Sequence, residues 1–261
     1  MTIGITAKAM WMLFLAAVLA LLVLPLLLVV VFSFNDSALT SFPLTGFTLH
    51  WYVRLFANES FWPSLTNSLV VGGVVSVLSV AVSLLAALGL ARMQWGYPQA
   101  VLAVLSAPMM LPALIIGVAL LSFFVRVIAV PLGLPTVILG QLVVIVPFVI
   151  AILHARLSSF DWSLVESARD LGASGFGAFM TVTLPIIRPT LIGSGLIALS
   201  LSLDDFVITF FTIGSGNTLP TLVWGLVRTA LDPTINAIAS LLLALSIGST
   251  VLALKLIDYR R

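Results

Sequence analysis

Glu166-Ser167-Ala168-Arg169-Asp170-Leu171-Gly172, followed after nine residues by Val182-Thr183-Leu184-Pro185, is a polar island between long apolar runs. In a chain with so few charges, a helix, a glycine break and a second helix ending in proline read as a docking element for a partner. Ser163-Leu164-Val165-Glu166 has the form of a capping box, with Asp161 as a rival N-cap, so a helix begins between them and runs to Leu171. Gly172 supplies the permissive backbone that stops it. Leu164, Ala168 and Leu171 recur at helical spacing and give one face that a partner's groove can bury. The second helix is expected from Ser174 to Leu184, carrying Phe176, Phe179 and Met180 and ending at Pro185. An amphipathic helix lying on a membrane surface would not need this glycine and Leu-Pro spacing.

The surrounding composition is that of a bilayer protein. Hydrophobic residues make up 61% of the chain and charged residues 8%, whereas a soluble globule carries about 25% charged residues. The mean hydropathy is +1.27. There is no cysteine, which removes disulfides, thiolate metal sites and cysteine nucleophiles together. The formal charge of +2 is the balance of eleven basic and nine acidic residues, and the basic ones are scattered along the chain, so nucleic-acid binding has no support. No G-x-x-x-x-G-K-[ST] occurs, and the only lysines are Lys8 and Lys255, so the chain forms no P-loop and any ATP must be hydrolysed by another subunit. No nucleophile, base and orienter set points to an enzyme.

A crossing of the ~30 Å hydrocarbon core takes about 20 apolar residues. Charge-free intervals from Lys8 to Asp36, Glu59 to Arg92, Arg92 to Arg126, Arg126 to His154 and Asp232 to Lys255 each hold one, and a sixth follows Arg188, interrupted by Asp204 and Asp205. The fold class expected is all-α and integral to the membrane, a single domain over 1–261. Its six transmembrane helices fall at about 9–33, 65–91, 99–125, 135–153, 189–213 and 233–254, with a connecting loop at 154–188. The apolar run of the first is too long for a signal-peptide core and lacks an A-x-A-like site before Asn35, so it is read as uncleaved. With the N-terminus inside, Lys8, Arg92, Arg156, Arg169, Arg188, Lys255, Arg260 and Arg261 are cytoplasmic, and Arg54, Arg126 and Arg228 are outside. Basic residues in short loops favour the cytoplasm, so the topology is N-in, C-in and the Glu166 loop is cytoplasmic. His50 and His154 then lie on opposite sides, which excludes a histidine metal pair. His154 is expected to cap the inner end of the fourth span.

Within the second span Gly72, Gly73, Ser76, Ser79, Ser83 and Ala87 form a ridge of small residues that lets another helix approach. Pro108, Pro112 and Pro147 are expected to kink the third and fourth spans. The segment Asn35 to Pro63 is dense in aromatics, including Phe42, Phe47, Trp51, Tyr52 and Phe56, and reads as an interfacial belt. Asp204-Asp205 is the costly feature, because each ionised carboxylate at mid-helix costs about 2.5 to 3.5 kcal/mol. Adjacent residues lie about 100° apart on a helix, so one acid can line a pathway while the other pairs with a neighbour. Both are candidate substrate contacts. A shorter span, with both acids solvated at the outer interface, is the other reading.

The Glu166 pattern resembles the EAA loop of ABC importer permeases, which reads Glu-Ala-Ala, three residues, Gly, nine residues, an aliphatic residue, one residue, Leu-Pro. Ser167 replaces the first alanine, and Ala168, Gly172, Val182, Leu184 and Pro185 match at the right spacing. Leu199-Ser-Leu-Ser-Leu-Asp-Asp-Phe-Val-Ile-Thr-Phe-Phe211 closely resembles the same region in the second permease of spermidine/putrescine-type importers. So do Phe32-Ser-Phe-Asn35, Trp51-Tyr52 and Pro220-Thr-Leu-Val-Trp-Gly225.

The resemblance implies a MetI-like permease fold in the bacterial inner membrane, surrounded by lipid and working by alternating access without a cofactor. Its implied partners are two nucleotide-binding ATPase subunits, a homologous second permease and a periplasmic substrate-binding protein. Glu166, Ser167, Ala168, Gly172, Leu184 and Pro185 would then dock in a cleft of the ATPase. Permeases for thiamine, ferric iron, phosphonates and opines are similar, but an acidic pair attracts ammonium groups and opposes anions, which favours a polyamine. An ion-driven secondary transporter and a membrane subunit without a pathway are the rivals from other classes.

Overall fold

Apolar runs become helices because a backbone surrounded by lipid must satisfy its own hydrogen bonds. The computed structural model describes residues 5–37, 42–92, 97–229 and 233–258, with side chains except at 5–7, 9, 98, 229 and 249–258. Asp232, Arg260 and Arg261, which enter the charge pattern, lie outside the described residues, as does the Lys255 side chain. In chain order the helices are α1 (Ile5–Phe32), α2 (His50–Phe56), α3 (Phe61–Ala91), α4 (Pro98–Leu105), α5 (Ala113–Ser122) and α6 (Leu134–Ser158). They continue with α7 (Ser163–Asp170), α8 (Gly175–Ala178), α9 (Leu184–Asp204), α10 (Val207–Thr212), α11 (Leu219–Thr229) and α12 (Thr234–Asp258). Among the described residues four helical stretches are long and apolar enough to cross a membrane: Met10–Phe32, Phe61–Ala91, Leu134–Ser158 and Gly175–Asp204.

The prolines act unequally. Pro108 and Pro112 divide the expected third span: a 3₁₀ turn covers Ala107–Met110, and Leu111, the residue before a proline, is extended at ψ 142°. The second piece runs from Ala113 through a π turn at Phe123–Val127. Pro147, in contrast, is buried inside α6 and the helix continues past it.

The chain divides into two compact units. One contains the residues up to Phe61 together with Val223–Leu245. In it no residue of Met10–Phe32 is buried, and the aromatic segment after α1 folds around Asn35. The Asn35 Oδ1 accepts from the Thr45 N–H at 3.0 Å, and the Trp51 Nε1–H donates to the Asn35 carbonyl at 2.7 Å. Phe34 stacks on Phe47 with 5.2 Å between ring centroids, and the Ser33 and Tyr52 hydroxyls are 2.7 Å apart. Trp51 and Leu55 of α2 are buried, while Phe42 and Phe47 remain exposed.

The other unit contains Trp62–Leu222 and the chain from Ser246 on. Its core is α6, whose Val137, Ile145, Val149, Leu153 and Leu157 are buried. The small-residue ridge of α3 meets two neighbours. The Ser76 hydroxyl donates to the Gly195 carbonyl of α9 at 2.6 Å, and the Ser83 hydroxyl donates to the Val146 carbonyl of α6 at 3.1 Å. A Cβ on Gly72 would stand 3.0 Å from Leu199, so the absence of a side chain sets that approach. Lipid tails are as apolar as leucine, and such packing together with hydrogen bonds of about 0.6 kcal/mol each associates the helices.

Candidate functional site

Two regions of the second unit carry the polar groups singled out above. The first is the loop at 154–188. The helix begins at Ser163, and the rival N-cap is the one that acts: the Asp161 Oδ1 accepts from the Ser163 N–H at 3.1 Å and the Ser163 hydroxyl at 2.7 Å. α7 ends at Asp170, and Gly172 sits at φ +92°. The Gly172 N–H donates to the Arg169 carbonyl and the Ala173 N–H to the Ala168 carbonyl, which is a Schellman closure. Val165 is the buried anchor of α7, and Ala168 packs partly against the core. Leu164 and Leu171 face outward, Leu171 being 90% exposed. Glu166 and Ser167 are exposed beside them. At the entry to α7 the Arg92 guanidinium from the end of α3 lies 4.5 Å from the Trp162 ring centroid, and Trp162 packs on Phe160.

The second helix of the loop differs from expectation. The Ser174 hydroxyl caps it by accepting the Gly177 N–H at 3.0 Å. It does not end at Pro185. A π turn at Phe179–Thr183, in which the Leu184 N–H reaches the Phe179 carbonyl, leads directly into α9. Leu184 and Pro185 form the first turn of that helix, so Gly175–Asp204 is one helical run of 30 residues. A widened turn accommodates the proline ring and the missing donor without stopping the chain.

The second region is the acidic pair, which is not at mid-helix. Asp204 is the last residue of α9, and Asp205 leaves the helix at ψ 112° before α10 begins. The reason is the Asp205 side chain. Its Oδ2 accepts from the Thr209 N–H at 2.9 Å and the Thr209 hydroxyl at 2.8 Å, and its Oδ1 accepts from the Ile208 N–H at 3.4 Å. Aspartate thus competes with the helix that would run through it and caps the next one. α10 then packs on α5, where a Cβ on Gly117 would fall 2.6 Å from Phe211.

Asp204 is exposed and borders a cavity of about 430 Å³ whose wall includes Met109, Gln141, Phe148, Leu201, Asp205 and Phe206. No hydrogen bond or ion pair engages its carboxylate among the described residues. Gln141 escaped the sequence reading. Its amide donates to the Thr209 hydroxyl at 2.9 Å and to the Asp205 Oδ2 at 3.3 Å, and it accepts from the Ser202 hydroxyl. A glutamine alone in an apolar helix is costly unless partnered, and that was the available signal. His154 does not cap the end of α6: it lies within the helix with Nε2 3.3 Å from the Ser158 hydroxyl, and its buried Nδ1 has no partner among the described residues.

The family model described as binding-protein-dependent transport system inner membrane component matches residues 79–260. A spermidine/putrescine transport system permease protein, PotC, of Haemophilus influenzae is 32% identical over 241 residues, covering 92% of this chain and 93% of that protein. The putrescine transport system permease protein PotI of Escherichia coli K12 is 34% identical over 227 residues, covering 84% and 80%. A bacterial ABC transporter that imports the polysaccharide alginate superposes with a TM-score of 0.72 at 18% identity, covering 95% of this chain and 94% of that one. The MetNI methionine ABC transporter in an inward facing form gives 0.59 at 18% identity, covering 81% and 98%. The architecture is therefore the all-helical MetI-like permease fold, and the chain belongs to the inner-membrane components of binding-protein-dependent transport systems.

Proposed function

We propose that the chain is a permease subunit of an ATP-driven ABC importer that translocates the polyamines spermidine and putrescine by alternating access. It spans the membrane six times with both termini in the cytoplasm. The loop at 154–188, through Glu166, Ser167, Ala168, Gly172, Leu184 and Pro185, docks on one of two ATPase subunits. A homologous second permease completes the pathway, and a periplasmic binding protein delivers substrate. The observation that carries the substrate reading is the unengaged Asp204 carboxylate beside a cavity walled by Phe148 and Phe206. A carboxylate in a low-dielectric wall attracts an ammonium group, and an aromatic face adds about 0.5 to 2 kcal/mol for a cation. The named relatives among spermidine and putrescine permeases support the same choice.

The test is uptake of labelled putrescine and spermidine by proteoliposomes holding the complete complex, with Asp204→Asn as the variant. We expect uptake to fall at least tenfold while ATP hydrolysis still responds to the loaded binding protein. Unchanged uptake removes Asp204 from the pathway. If neither polyamine enters although the wild-type complex hydrolyses ATP, the substrate assignment fails.

A further inference from the structure

Two identical acids stand side by side at the end of α9, and their surroundings differ completely. Asp205 accepts from Thr209 N–H, the Thr209 hydroxyl, Ile208 N–H and the Gln141 amide. A carboxylate offers about four acceptor positions, so little remains for a ligand. Among the described residues Asp204 has no such partner, and it borders the cavity. The amide that joins the two sides of the break belongs to Gln141 on α6, a residue only 2% exposed. Its oxygen accepts from the Ser202 hydroxyl in the last turn of α9. Its nitrogen reaches Thr209 and Asp205 across the break, and the Ser202 carbonyl at 3.4 Å. An ionised Asp205 accepts only, which fixes which end of the amide faces it.

We propose that Gln141 is the positioning residue of the pathway: by holding Ser202 of α9 and Asp205 and Thr209 of the α10 start together, it fixes the helix break and hence the stance of the Asp204 carboxylate. This rests on the reading of the adjoining cavity as the substrate pathway. Gln141 itself need touch no substrate. Gln141→Leu removes the bridge. Gln141→Glu keeps the acceptor for Ser202 but opposes a carboxylate to Asp205.

The absence of cysteine makes Asp204→Cys a clean reporter. In the assembled complex, the rate at which a small cationic thiosulfonate modifies position 204 should change at least fivefold on adding Gln141→Leu or Gln141→Glu. An unchanged rate in both variants overturns the proposal. Gln141→Glu, which keeps the length of the side chain and the acceptor for Ser202, decides even where Gln141→Leu fails to assemble. No polyamine is present during labelling, so a failed substrate assignment, seen as neither polyamine entering, and a failed pathway role for Asp204, seen as unchanged uptake by Asp204→Asn, are both distinguishable from a failed positioning role.

Discussion

The Gly172 turn and the Asp204–Asp205 break both end one helix and start another within a few residues, and they do so by opposite means. At Gly172 the backbone turns left-handed at φ +92° and closes its own carbonyls through local hydrogen bonds. At Asp205 the backbone is ordinary, and the break is held by buried side chains, one of them 64 positions away in sequence. The first needs only a glycine at the right place. The second needs a partner helix already packed. A loop built the first way keeps its shape wherever it stands, whereas a break built the second way depends on how α6 and α9 are placed.

The largest expected effect tests the local device. Gly172→Pro removes the N–H that meets Arg169 and cannot adopt φ +92°. We expect uptake to fall about a hundredfold, on the order of the 2 to 3 kcal/mol such backbone strain costs, with ATP hydrolysis no longer answering to the binding protein. Retained coupling would show that the turn is dispensable. Glu166→Ala alters only an exposed side chain, so uptake should drop about tenfold at unchanged thermal stability, roughly the 1.4 kcal/mol of one charge-assisted contact. A fall in stability would show instead that Glu166 supports the fold.

Asp205→Ala sharpens the other side. It leaves Thr209 and Ile208 N–H groups without their acceptor, and loss of an N-cap costs about 1 to 2 kcal/mol, read as a lower melting temperature of the detergent-solubilised complex. Asp204→Ala should leave that temperature unchanged. If the two acids behave alike, the division of roles between them is wrong. The smallest effect is expected for Arg92→Ala, which removes a cation–π contact worth about 0.5 to 1 kcal/mol. Uptake should decrease by less than fivefold, with Arg92→Lys recovering part of it.

What could be read from the chain follows the same division. The runs that became α1, α3 and α6 are visible because lipid demands continuous apolar length, and Gly172 is visible because a Schellman turn has a single-residue signature. Pro108 and Pro112 announced a disturbance, but a lone Pro147 of the same chemistry left α6 intact, since the outcome depends on whether neighbouring groups absorb the lost donor. The cost of the acidic pair was legible, yet its resolution was not: nothing local to Asp205 names Gln141, and only the packing of α6 against α9 brings them together. Pro185 failed as a stop signal for a related reason, because one widened turn at Phe179–Thr183 let the helix continue.

That continuation links the two regions mechanically. A run of 30 residues from Gly175 to Asp204 is about 45 Å of rod at about 1.5 Å per residue, with its foot in the loop that follows Gly172 and its tip at the cavity. Tilting such a rod by about 10° about its foot sweeps the tip through about 8 Å. The run departs from regular α-helical bonding at the π turn next to its foot and again at Pro189 inside α9, and a displacement applied beyond either place is partly absorbed there, so the leverage on Asp204 is set by how tightly both are wound.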